Sequence, residues 1–131
     1  MRFYQLGSDS LWLDEAGVAY AARAASLREM LQVVRSHVLA MPLDYWVVWL
    51  VGKISQTELA LRIPAAVWGC LTLYLAFRFF QRFTDRTAAL LGLLVLALSP
   101  LHIQYSQELR FYASLVFFYL LASLTLWDAL Q

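Results

Sequence analysis

The sequence is short of residues that bind metals or form cross-links. Its single cysteine, Cys70, lies inside an apolar run and can form neither an intrachain disulfide nor a cysteine-based zinc site. The cysteine content therefore does not indicate the redox compartment. His37 and His102 have no second ligand at metal spacing, so both are interpreted as structural or interfacial residues.

Charge is scarce as well. Ten basic and nine acidic side chains leave a net charge of +1, so no basic field attracts nucleic acid by counterion release. We expect no nucleic-acid partner. Only 15% of the 131 residues are charged, whereas 62% are hydrophobic and the mean hydropathy is +0.62. This balance lies well outside that of soluble domains and predicts an integral membrane protein.

Three segments approach or reach the roughly 20 apolar residues that a helix needs to cross the hydrocarbon core. They cover about 59–80, 87–103 and 111–128. Arg62 and Arg78 stand near the two ends of the first segment, where long side chains can snorkel to the interface. Pro64 falls in the first turns of that helix and Pro100 near the end of the second, where a missing hydrogen bond costs least. We predict one incomplete membrane domain over residues 59–131.

Residues 1–58 are predicted to form a loop with helices that lie at the membrane surface. The segment 42–54 has only eight uncharged residues between its two charged ones, too few to span, and its tyrosine and two tryptophans favour the headgroup layer. Segment 26–39 has apolar residues on one helical face, and segment 14–25 is alanine-rich. The predicted fold class is all-α, with polytopic membrane helices and juxtamembrane interfacial helices.

The connector 78–86 carries three arginines against one aspartate, which predicts a cytoplasmic location by the positive-inside tendency. The first span then runs inward and the second returns outward. If segment 42–54 lies flat, Asp14, Glu15 and Glu108 face the same compartment and can share a site. If it crosses, Glu108 faces the opposite side from the other two.

Two polar clusters are candidates for chemistry. Asp14 and Glu15 could simply favour the start of the helix that follows, but a carboxylate near a low-dielectric surface can also be tuned toward a general base. Glu108 and Arg110 could belong to an ordinary hydrated loop. A guanidinium placed there would also suit a phosphate, because its fork of donors matches phosphate oxygens.

Four segments, in order, read LGSDSLWLDEA, MPLDYWVVWLVG, ELALRIPAAVWG and DRTAALLGLLVLALSPLHIQYSQELRFY. They resemble the N-terminal part of the family 39, protein-mannosyltransferase-like glycosyltransferases of the GT-C superfold, which include the aminoarabinose transferase. The resemblance covers nearly the whole chain. It implies an enzyme of a bacterial or archaeal cell membrane that moves a hexose or pentose from a polyprenyl-phosphate carrier. The acceptor that the resemblance implies is a hydroxyl of a lipid, glycan or protein on the extracytoplasmic face.

The resemblance also implies roles for individual residues. Asp14 corresponds to the catalytic base, while Glu15 and Glu108 would orient the reacting groups. Arg110 and Tyr112 would contact the carrier phosphate. A divalent cation held by Asp14 and Glu108 is compatible with the resemblance, which implies no other cofactor.

Two departures accompany the resemblance. Met41 and Pro42 stand where many members read His-Pro-Pro, so any role of that histidine is absent or altered. Family members are also several times longer, and we expect this chain to be an N-terminal fragment that is inactive alone. Two rival interpretations are a transporter or flippase segment that uses the same acids as an ion pathway, and a small non-enzymatic membrane scaffold.

Overall fold

The computed structural model describes residues 2–4, 6–7, 10–36 and 41–131. Its regular structure consists of seven α-helices, and no strand occurs among the described residues. They are α1 (Leu13–Ala22), α2 (Leu27–Ser36), α3 (Pro42–Gly52), α4 (Glu58–Phe80), α5 (Arg86–Leu98), α6 (Pro100–Tyr105) and α7 (Tyr112–Ala129). The all-α prediction is confirmed.

Helices α4 and α7 are long and apolar enough to cross a membrane. Thr57 caps the start of α4, its hydroxyl accepting a hydrogen bond from Ala60 N at 3.3 Å. The two helices run parallel. Trp68 of α4 contacts the Phe117 ring of α7 at 4.9 Å, and Asp128 in the last turn of α7 pairs with Arg82, two residues beyond the end of α4. Only 17% of the apolar window of α7 is buried, so most of its apolar surface is left to face lipid.

The single helix predicted over 87–103 is instead two helices, α5 and α6. The break falls at Ser99, whose φ of −60° and ψ of 119° are not helical. A residue that precedes proline is pushed out of the α region by the proline ring, and here Pro100 follows. Proline suits the first position of a helix, so Pro100 begins α6 and does not end α5. The 13 residues of α5 extend about 20 Å at 1.5 Å per residue.

Helices α1, α2 and α3 pack against one another, and α3 also packs against α4. The Trp49 indole donates a hydrogen bond to Ala24 O at 3.0 Å, and Lys53 Nζ donates to the same carbonyl at 2.7 Å. Tyr45 is buried, whereas Trp46 is exposed. Three aromatic residues of this segment were expected in the headgroup layer. Two of them, Tyr45 and Trp49, instead pack against the protein core, because α3 lies against α1.

The basic connector lies at the far end of the α4–α7 pair from the three short helices. Arg82 forms an ion pair with Asp128 at 2.7 Å, and the Phe83 ring contacts Trp127 with centroids 4.7 Å apart. Asp85 caps α5 by accepting hydrogen bonds from the backbone N–H groups of the first turn. The molecule therefore has one end with a cluster of arginines and another end built by α1 to α3.

The crossing of α1 and α3 provides a test of this packing. A Cβ added at Gly52 would lie 2.6 Å from Ala22 O, a backbone atom that cannot swing away. We expect Gly52→Ala to destabilise the protein by about 1–3 kcal/mol despite the higher helix propensity of alanine. The measurement is the midpoint of thermal unfolding in detergent.

Gly92→Ala is the matched control for this variant. Its added Cβ would meet only the Phe80 ring, at 3.1 Å, and that ring can turn. Its unfolding midpoint should stay close to that of the unchanged protein. Equal midpoints for the two variants would contradict the tight crossing of α1 and α3.

Candidate active site

A cavity of about 320 Å³ lies where α1 and α3 meet the N-terminal ends of α4 and α7. Its wall is largely apolar, with Val18, Val48 and Leu109 among its residues. Four side chains in the wall are polar: Asp14, Asp44, Tyr45 and Arg110. An apolar cavity with a few convergent polar groups is the usual form of a small-molecule site.

Asp14 and Arg110 meet in this wall although 96 positions separate them in the chain. Arg110 donates a hydrogen bond to Asp14 Oδ2 at 2.9 Å, and its guanidinium lies 4.9 Å from the centre of the Tyr112 ring. The Asp14 side chain is 69% exposed, so the pair itself adds little stability. Its importance is positional, since it brings three of the sequence-predicted site residues together.

Glu15 lies one position further along α1 but points away from Asp14, into a buried ion pair with Arg62 of α4. Its oxygens accept hydrogen bonds from Arg62 at 2.7 and 3.3 Å, from Trp12 N at 3.1 Å and from Leu109 N at 2.5 Å. Arg62 also donates to Leu6 O at 3.1 Å. Four N–H groups therefore surround this carboxylate.

Burial raises the pKa of the Glu15 carboxyl group, but hydrogen bonds from Arg62, Leu109 and Trp12 outweigh burial and lower the pKa below its ordinary value. The snorkelling predicted for Arg62 is wrong, because the side chain is only 5% exposed. A guanidinium near a helix start can turn inward when a carboxylate on a neighbouring helix compensates its charge.

Glu108 and Asp14 line different cavities. Its Oε1 accepts a hydrogen bond from Gln104 at 2.9 Å, one turn earlier, and its side chain lines a second cavity of about 520 Å³. Trp12, Glu15 and Arg62 also line this second cavity. Because Leu109 is buried between them, Glu108 and Arg110 contribute to different cavities.

These positions do not fit a divalent cation held by Asp14 and Glu108. The two carboxylates line different cavities, and Asp14 already faces the positive charge of Arg110. Among the described residues, no group of three or more metal-ligating side chains occurs. Hard divalent cations take six or more oxygen ligands, so this pair alone is a poor cage.

Asp44 is the site residue that sequence reasoning missed. It is 9% exposed, lines the first cavity, and its Oδ2 lies 2.7 Å from the hydroxyl of Ser114 in α7. Burial raises the pKa of this carboxyl group, against the opposing effect of the Ser114 hydrogen bond. The helical spacing of the sequence could have indicated that Asp44 faces inward, because Asp44 and the apolar Val48 are four residues apart on one face of α3.

Of the two histidines, His102 lies in α6, where Arg2 is within hydrogen-bond distance of its Nδ1 at 2.7 Å. Burial lowers the pKa of this imidazole, and the charge of Arg2 lowers it further. His102 lines neither of the two cavities described above. His37 lies outside the described residues.

The family model described as dolichyl-phosphate-mannose-protein mannosyltransferase matches residues 39–131. The chain belongs to this family. The resemblance found in the sequence is thereby confirmed. The matched range includes Asp44, Glu108, Arg110 and Tyr112, whereas Asp14 and Glu15 precede it. No curated protein and no solved structure matches the chain.

Membership of the mannosyltransferase family implies a membrane glycosyltransferase that uses a polyprenyl-phosphate-linked sugar donor. Together with the two long apolar helices, it identifies an integral membrane protein. The all-helical structure agrees with part of a GT-C fold.

The buried pair makes a prediction about stability. Replacing Glu15 by glutamine removes the buried carboxylate that accepts two hydrogen bonds from Arg62, and breaking a buried ion pair typically costs about 3–5 kcal/mol. We expect Glu15→Gln to lower the thermal unfolding midpoint in detergent far more than Glu29→Gln. Glu29 is a matched control, since it also lies in the first turn of a helix and accepts a backbone hydrogen bond, at 2.8 Å, but is exposed. Equal effects of the two variants would contradict the buried pair.

The dependence of stability on pH gives a second test. The folded-state pKa of Glu15 is lowered from an ordinary value of 4.5, so its contribution is present above pH 4.5 and is lost as the pH falls through the lowered folded pKa. The unfolding midpoints of the unchanged protein and Glu15→Gln should therefore differ by a constant amount above pH 4.5 and converge on acidification. A difference that grows at low pH would contradict the assigned direction of the shift.

Proposed function

We propose that the first cavity is the donor site of a glycosyltransferase that moves a sugar from a polyprenyl-phosphate carrier to an acceptor hydroxyl on the extracytoplasmic face. One observation carries the proposal: Asp14 and Arg110, remote in sequence, meet at 2.9 Å in the wall of an apolar cavity. A carboxylate and a guanidinium side by side are the base and the phosphate ligand that the reaction needs.

The chemistry is a direct displacement. The acceptor oxygen attacks the anomeric carbon and forms a bond to it, while the bond from that carbon to the phosphate oxygen breaks. The electron pair leaves with the carrier phosphate, the acceptor proton moves to Asp14, and the configuration at the sugar carbon inverts. Arg110 stabilises the added negative charge on the departing phosphate through charge-assisted hydrogen bonds.

The Asp14–Arg110 ion pair would serve as the resting state of this site. When the carrier phosphate binds Arg110, the guanidinium has a second anion to neutralise and its hold on Asp14 weakens. The Arg110 guanidinium lies over the Tyr112 ring, 4.9 Å from the ring centre. This cation–π contact restricts the orientation of the guanidinium and of its N–H donors. The same step that binds the donor would thus free the base.

We assign the other two predicted acids different parts. Glu15 acts as a positioning residue, because it fixes the start of α1 and the backbone at Leu109, the neighbours of Asp14 and Arg110. Glu108 lines the second cavity together with Gln104 and Gln107, and there it would orient the acceptor. No step requires a metal ion in this assignment.

Charged residues in α4 and α7 give little support for the rival transport function. Within these two described helices the charged side chains lie in the first two turns or in the last turn, as Glu58, Arg62, Arg78 and Asp128 do. A proton or ion pathway needs ionisable groups along the span. A pair of acids at one end suits chemistry at the membrane surface better.

Activity tests the assignment of the base. Asp14→Asn keeps the shape of the side chain but cannot accept the acceptor proton, and we expect transfer to fall by about 10²–10⁴-fold. The measurement is transfer of labelled mannose from dolichyl-phosphate mannose to endogenous acceptors, in membranes containing the protein expressed from its own gene with its native flanking sequence. Glu58→Gln, an acid in the first turn of α4 that lines neither cavity, is the control. Near-normal transfer by Asp14→Asn would rule out Asp14 as the base.

Accessibility tests the proposed face. Ala25 lies between α1 and α2 at the site end, and Gln81 lies in the arginine-rich connector; both are exposed. In a Cys70→Ser background, Ala25→Cys should react with a membrane-impermeant maleimide in intact cells, and Gln81→Cys only after permeabilisation. The reverse pattern would place the site in the cytoplasm.

A further inference from the structure

Asp44 is a buried acid that has no role in the transfer step proposed above. It stands in the first turn of α3, where the helix dipole favours a carboxylate, and this alone is an ordinary structural position. Two further facts are unusual for a simple helix-start acid. Asp44 is nine-tenths buried, and it lines the same cavity as Asp14 and Arg110.

The two aspartates of this cavity have opposite environments. Asp14 is mostly exposed and paired with a guanidinium, whereas the hydrogen-bond partner of Asp44 is the neutral hydroxyl of Ser114. Burial raises the pKa of Asp44, and no cation within the described residues forms an ion pair with it. Two carboxyl groups whose surroundings differ in this way are suited to different tasks in one site.

The hydrogen bonds of Ser114 indicate how the Asp44 carboxyl group is arranged. Ser114 Oγ lies 2.7 Å from Asp44 Oδ2 and 2.8 Å from Phe111 O, but a hydroxyl has only one proton to donate. Asp44 Oδ2 and Phe111 O therefore share the Ser114 hydroxyl as their donor. The other carboxyl oxygen, Oδ1, keeps its acceptor capacity, and no described residue donates a hydrogen bond to it.

Building on the function proposed above, we propose that Asp44 is a sugar-binding residue of the donor site. Its Oδ1 accepts a hydrogen bond from a hydroxyl group of the sugar attached to the polyprenyl phosphate, while Arg110 binds the phosphate. A sugar offers several hydroxyl donors next to its phosphate, and both protein groups line one cavity of about 320 Å³. Ser114, which belongs to α7, holds the Asp44 carboxyl group in one orientation through Oδ2, so binding the sugar at Oδ1 requires little rearrangement of Asp44.

The test compares two ligands that differ only in the sugar. Binding of dolichyl-phosphate mannose and of sugar-free dolichyl phosphate is measured on the purified protein, expressed from its own gene with its native flanking sequence. We expect Asp44→Ala to weaken binding of the mannose-bearing carrier about tenfold, as loss of one buried hydrogen bond does, and to leave binding of dolichyl phosphate unchanged. Arg110→Ala should weaken binding of both ligands.

Asp44→Asn keeps an acceptor oxygen at this position and removes the carboxyl group. An asparagine side chain of nearly the same shape can present its carbonyl oxygen to the sugar and keep a hydrogen bond with Ser114 through its amide group. We expect this variant to bind both carriers as the unchanged protein does. In the transfer reaction Asp44→Ala should raise KM for the donor with little change in kcat, opposite to the effect of Asp14→Asn.

Each outcome decides between the alternatives. A parallel loss of both ligands in Asp44→Ala would show that Asp44 only holds α3 to α7, and unchanged binding of both would show that it does not contact the sugar. Either result overturns the proposal, as does loss of the mannose preference in Asp44→Asn. If the unchanged protein binds neither carrier, the proposed function itself fails, a result distinct from these.

Discussion

The buried ion pair of Glu15 and Arg62 is the interaction on which the rest of the structure depends. The pair joins α1 to α4, and its remaining hydrogen bonds reach Leu6 O, Trp12 N and Leu109 N. An unpaired charge in this position would be very costly, so the two helices must stay together for either residue to be buried. One carboxylate and one guanidinium thus fix the relative positions of the N-terminal segment, two helices and the loop before α7.

This fixed frame explains how neighbouring residues acquire different surroundings. Glu15 turns inward, so the preceding Asp14 is left at the rim of the first cavity. Leu109 is drawn inward by its bond to Glu15, so Glu108 and Arg110 diverge to separate cavities. The two cavities match a transfer reaction that must keep a donor and an acceptor in defined places, and the proposed function assigns one cavity to each.

The distribution of charge and apolar surface suits a substrate with a long lipid tail. The acids and Arg110 lie at one end of the parallel helices α4 and α7, and the arginine-rich connector lies at the other. Between these ends α7 keeps most of its apolar surface exposed. A carrier phosphate at the proposed site would lie near the membrane surface, where its tail could remain in lipid while the sugar enters a cavity formed by protein.

Composition, hydrophobic length and short motifs determined the membrane class, the all-α fold and the family, since these features depend on the residues themselves and on local order along the chain. The same motifs made Asp14 and Arg110 candidates for the site. Proline chemistry could also have predicted the break at Ser99. Only the tertiary structure decided that Glu15 binds Arg62, that Glu108 and Asp14 line different cavities, and that Asp44 lines the same cavity as Asp14. The physical reason is that burial and pairing depend on which helices approach one another. Glu15 and Arg62 are 47 positions apart, and Asp44 and Ser114 are 70 positions apart. No local sequence pattern indicates that residues so far apart are in contact.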